Sequence, residues 1–113
     1  MTTAADELRA ASARLRELAA DVDTDIATNP YWASGEHPPH DYPNLYARGV
    51  DNGLGGPAGV YAAAMGPNVG TALADWLDTT ATSLAASTHP EWQECVAADA
   101  LAVARQINTG SRT

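Results

Sequence analysis

A chain of 113 residues has room for one domain, and 14 acidic residues against six arginines, with no lysine, leave it a net charge of −8. That balance excludes nonspecific binding to a nucleic-acid duplex, which needs clustered cations. No run approaches the roughly 20 consecutive apolar residues of a membrane span. Apolar residues make 45% of the chain, but 24 of them are alanine and only 17 are Leu, Val or Ile, so a thin core is expected. The single Cys95 excludes an intramolecular disulfide and a cysteine-cluster zinc site. With Asp6 and Glu7 where a leader would carry basic residues, this points to a reducing cytoplasm.

The expectation over residues 1–113 is a single α+β domain, mainly α, with three helices and a short antiparallel β element between the first and second. The first helix is expected over 3–27. Leu8, Ala11, Leu15, Leu18, Val22 and Ile26 recur at spacings of three and four and form one apolar stripe. Thr3 and Asp6 are spaced as a capping box, and Asp6 and Glu7 suit the positive end of the helix dipole.

Segment 28–67 changes character. It holds seven of the nine glycines, most of the prolines, all four tyrosines and Trp32. Forty residues without regular structure would be unusual in a compact domain, so strands are expected over 45–50 and 59–64. Asp51-Asn52-Gly53 is the turn signal between them. A helical hairpin is expected over 68–108, opened by Pro67, broken at Ser87-Thr-His-Pro90 and stopped at Gly110. Trp76 and Trp92 occupy helix-core positions and are expected inside, with Cys95 as a buried filler beside Val96.

Glu7-Leu-Arg-Ala-Ala-Ser-Ala-Arg-Leu-Arg16, Asn29-Pro-Tyr-Trp32, Ala72-Leu-Ala-Asp-Trp-Leu-Asp78 and Ala100-Leu-Ala-Val-Ala-Arg105 together resemble a group of small uncharacterised proteins of actinobacteria and their phages. The resemblance covers both ends of the chain. Tyr31 departs from the group's proline-tryptophan turn, and the glycine-rich middle has no counterpart. It implies a cytoplasmic accessory protein carried by a phage or prophage, acting in the host cytoplasm, and brings no catalytic residues with it.

Motifs that would carry chemistry fail on spacing. Asp21-Val-Asp-Thr-Asp25 begins like a calcium loop, but Ile26 and Trp32 stand where glycine and a bidentate glutamate are needed. Glu36-His-Pro-Pro-His-Asp41 places His37 and His40 close together, yet two prolines forbid a helix and His89 is the sole further histidine, so an exposed polar loop is expected. The glycines from Gly49 to Gly59 lack the Lys of a phosphate loop and the spacing of a dinucleotide fingerprint, and read as turn formers.

These readings favour a non-catalytic protein without cofactor or metal that binds another protein, such as a host protein. Its acidity favours a basic partner. Tyr31, Trp32, Tyr42, Tyr46, Arg48 and Tyr61 are the candidate contacts, weighed against a structural cap. The alternative is a protein that sequesters a small nucleotide-like ligand through Arg48 and the tyrosines. A weaker one is a metal-dependent hydrolase on His37, His40 and Asp41. A homodimer is expected through Leu8, Leu15 and Leu18 on the first helix.

Overall fold

The computed structural model describes residues 2–33 and 44–110. Its elements are α1 (Ala4–Thr28), a 3-10 turn (Pro30–Ala33), α2 (Leu45–Leu54), α3 (Gly56–Ala64), α4 (Pro67–Ser87), α5 (Pro90–Val96) and α6 (Ala98–Gly110). Among the described residues there is no strand, which corrects the expected α+β class to all-α. The two expected strands are α2 and α3.

Local chemistry explains the correction. Asn44 accepts the Ala47 N–H at 2.8 Å through its side-chain oxygen and so caps α2. Asp51-Asn52-Gly53, expected as a turn, continues that helix. The chain reverses instead at Gly55 and Gly56, whose φ values of 68° and 61° need residues without a Cβ. Pro57 then sits in the first turn of α3, and Ala58, Ala62, Ala63 and Ala64 favour helix far more than strand.

Two compact units make up the fold: Met1–Glu17 with Thr71–Thr113, and Leu18–Gly70. In the first unit Leu8 and Ala11 of α1 meet Leu77, Ala81 and Leu84 of α4 and Ala97, Ala100 and Ala104 along the C-terminal arm. Leu15 and Ile107 pack on the edge of this cluster. Leu8, Leu77 and Leu101 are the largest side chains fully buried, each contributing about 1.5–3 kcal/mol, and alanines fill the rest of the interior.

Polar ties close the same unit. Thr3 and Asp6 exchange bonds of 3.1 Å in both directions, forming the expected capping box. Arg16 reaches Asp75 and Asp78 at 2.8 Å each, and Arg105 bridges Glu7 at 3.2 Å and Glu94 at 2.9 Å. The expected hairpin arm is divided at Ala97 into α5 and α6.

Trp76, Trp92 and Cys95 are on the surface, not in the core. In α4 the buried row is Ala74, Leu77, Ala81 and Leu84, so Trp76 sits one residue, about 100°, off the stripe. In α5 the buried residue is Gln93, not Trp92. Its amide accepts the Ala5 N–H at 3.1 Å and donates to the Thr88 carbonyl at 3.3 Å.

Candidate functional site

Three of the aromatic residues expected to bind a partner come together with Arg48 in the second unit, around the 3-10 turn and α2. The Trp32 indole N–H donates to Asp25 Oδ2 at 2.6 Å, and the ring stacks on Tyr46 with centroids 6.1 Å apart and planes 14° apart. Tyr31 meets the Trp32 ring edge-on at 5.4 Å and donates its hydroxyl to the Gly49 carbonyl at 2.5 Å. Tyr46 donates to the Ala62 carbonyl at 3.2 Å. Arg48 is buried and donates Nη2 to the Trp32 carbonyl at 3.0 Å.

Every polar atom of this set named above is turned to an acceptor of its own unit. Gly49 fits because a Cβ there would lie 2.5 Å from the Trp32 ring, and Gly66 because one would lie 2.9 Å from Tyr46. The cluster is a packed aromatic clasp that fixes the 3-10 turn on α2 and α2 on α3. Asp25, in the last turn of α1, anchors it.

Tyr61 takes no part in the clasp, and Tyr42 lies outside the described residues, as do His37, His40 and Asp41. Among the described residues no group of three His, Cys, Asp or Glu is placed to hold a metal ion.

Of the residues expected at a self-association contact, Leu8 is 0% exposed and belongs to the core of the first unit. Burial removes it from any surface contact. Leu15 packs against that core, and Leu18 is the exposed member of the three.

The surface carries apolar residues elsewhere. In the second unit Leu54 and Val60 are each 64% exposed and Tyr61 71%. In the first unit Trp92 is 62% and Val96 67% exposed. A cleft of about 460 Å³ in the first unit is lined by Trp76, Thr80, Ser83, Cys95, Val96 and Ala100. Another of about 490 Å³ in the second unit is lined by Ile26, Leu45, Tyr46, Ala63 and Val69. Sequence reasoning missed Leu54, Val60 and Val96 as surface residues. The available signal was that α3 carries no polar side chain other than the Tyr61 hydroxyl.

Among the described residues these observations define a small all-helical protein with several large apolar side chains facing solvent. No protein-family model matches the chain, and no curated protein and no solved structure is similar to it. Among the described residues no helix is long and apolar enough to cross a membrane.

Proposed function

We propose that the protein is a non-catalytic interaction protein that engages another protein through exposed apolar side chains on its helices. One observation carries this reading. The interior is built largely from alanine, while Leu54, Val60, Tyr61, Trp92 and Val96 stand more than 60% in solvent. Isolated exposed apolar residues are ordinary, but contiguous apolar surface marks contact sites, and tyrosine and tryptophan are the side chains that most often anchor them.

The clasp around Trp32 supports the structural alternative for the aromatic segment, so the contacts move to Tyr61 and to the Trp92–Val96 surface. Arg48, the cation of the nucleotide-binding alternative, is engaged inside the second unit, and nothing favours that reading over protein binding. The resemblance read from the sequence motifs to small actinobacterial and phage proteins is the ground for proposing a phage or prophage accessory role on a host protein in the cytoplasm, and a free Cys95 accords with a reducing compartment.

The test is a capture experiment with immobilised protein and an actinobacterial lysate, comparing wild type with Trp92→Asp/Val96→Asp and with Tyr61→Asp. A defined host protein retained by wild type and released by at least one variant supports the proposal. Capture identical for all three, or a nucleotide that co-purifies in stoichiometric amount in native mass spectrometry, overturns it.

A further inference from the structure

The short helix α5 takes its N-cap from a histidine. His89 supplies both acceptors of its first turn: the backbone carbonyl takes the Trp92 N–H at 2.8 Å, and the imidazole Nδ1 takes the Glu91 N–H at 3.3 Å. Pro90, at the first helical position, has no N–H to place. A ring nitrogen accepts only while it carries no proton, so the cap exists with a neutral imidazole protonated at Nε2. Serine, threonine, aspartate and asparagine are the usual N-caps, and none of them gains or loses a proton near neutral pH. Imidazole is the side chain that does.

We infer that His89 is a pH-sensitive cap that holds α5, and with it the Trp92–Val96 surface, in place near neutral pH and loosens it in mild acid. As a regulation of a contact surface, this rests on the interaction role proposed above; as a property of α5, it does not.

Two effects of protonation act in the same direction. The Glu91 N–H loses its acceptor, and a full positive charge arrives at the helix end whose dipole is already positive. The contribution of the cap is therefore present above the range in which imidazole titrates and lost as the pH falls through it.

The loss is felt because α5 has seven residues, too few to hold as an isolated helix, and so depends on its cap and its tertiary ties. Those ties are the Gln93 bonds to Ala5 and Thr88 and the bridge from Glu94 to Arg105. Trp92 and Val96, both largely in solvent, add little packing.

Neighbouring charges do not take over the cap. Arg105 of α6 holds Glu94 and Glu7 of α1, Asp6 accepts from the Thr3 N–H, and Arg16 holds Asp75 and Asp78 of α4. Among the described residues no ion pair joins His89 to Glu91, two residues on, or to Asp99 at the start of α6. An imidazolium drawn to the Glu91 carboxylate would still leave the Glu91 N–H without an acceptor.

Nuclear magnetic resonance of the full chain tests this. Near about pH 7.5 the ring nitrogen shifts are expected to show His89 with its proton on Nε2 and none on Nδ1. From about pH 7.5 to about pH 5.5, amide protection factors over residues 91–96, which divide out the intrinsic pH dependence of exchange, are expected to fall at least about threefold. His89→Asn, which caps without titrating, is expected to keep its protection at both pH values, and His89→Ala to be low at both. A His37→Gln/His40→Gln chain is expected to respond as wild type does. Should His89→Ala unfold, wild type and His89→Asn decide. A neutral His89 with its proton on Nδ1, equal protection at both pH values in wild type, a response that survives in His89→Asn, or one that vanishes in the His37→Gln/His40→Gln chain overturns the inference. A chain that retains no host protein fails the interaction role instead and leaves each of these outcomes readable.

Discussion

The carboxamide of Gln93 accepts the backbone N–H of Ala5 at 3.1 Å, joining α5 to the first turn of α1 across 88 residues of sequence. The first N–H groups of a helix have no partner within it, so a buried helix start needs one from outside. Gln93 is 3% exposed and also donates to the Thr88 carbonyl, which makes it the polar pin of the first unit. Gln93→Ala leaves the buried Ala5 N–H unpaired and is expected to destabilise the protein by about 1–3 kcal/mol. Urea denaturation followed by circular dichroism measures this. A change within about 0.5 kcal/mol, the range of ordinary surface substitutions, would show that water replaces the amide.

In the second unit the sensitive position is Gly49. Its backbone has an ordinary helical conformation, so helix propensity alone would make Gly49→Ala stabilising by up to about 1 kcal/mol. The added methyl would, however, lie 2.5 Å from the Trp32 ring. That ring cannot easily swing away, since Asp25 holds its N–H and Tyr46 stacks on its face. Overpacking of this kind typically costs about 1–3 kcal/mol, so the expected net effect is destabilising. Differential scanning calorimetry gives the sign, and a raised Tm for Gly49→Ala would mean that the clasp is loose.

The sequence disclosed those elements whose signals were local and strong. The first helix, the Thr3–Asp6 box, Pro67 and the break before Pro90 follow from side-chain spacing and capping chemistry and stand where they were expected, whereas the α1 stripe is buried at Leu8 and Ala11 and runs out into solvent at Leu18. The middle differs because Val60-Tyr61 and Asp51-Asn52-Gly53 carry strand and turn propensities that neighbouring alanines and the Asn44 cap override. The clasp was only half legible. Trp32 and Tyr46 were visible as aromatics, but nothing local reveals that Asp25, seven residues before Trp32, supplies the acceptor. Trp92 was misplaced because an aromatic in a helix ordinarily outranks a glutamine for the interior, whereas here the orphan N–H of Ala5 requires the amide.

Acid is expected to loosen the first unit through Asp78. The hydrogen bond from the Arg16 guanidinium, with a smaller one from the Ser12 hydroxyl, holds its carboxyl below the usual value of 3.8. A carboxylate with a depressed value in the folded state contributes stability that is present above 3.8 and lost as the pH falls through the folded value. Both side chains are 43% exposed, so the contribution is screened to at most about 1 kcal/mol. The difference in stability between wild type and Arg16→Gln should hold steady at neutral pH and shrink as the pH falls below 3.8 and through the lowered folded value. Thermal melts across that range check it, and a difference independent of pH would assign the loss to packing of the arginine stem instead.

Cys95 is expected to react as an open thiol. Its place in α5, between exposed Glu94 and Val96, leaves it on the lining of the cleft that Trp76 and Val96 also line. A buried structural cysteine reacts with Ellman's reagent only when the protein opens, so its rate follows unfolding and slows with every stabilising condition. An exposed one reacts in the native state, at a rate that added denaturant changes little until the fold is lost. The second pattern is expected here, with one equivalent of thiol per chain titrated in buffer alone. Modification should also alter the emission of Trp76, which lines the same cleft, without reducing helix content. A thiol that remains protected until urea unfolds the chain would return Cys95 to the interior and displace α5 from the position described.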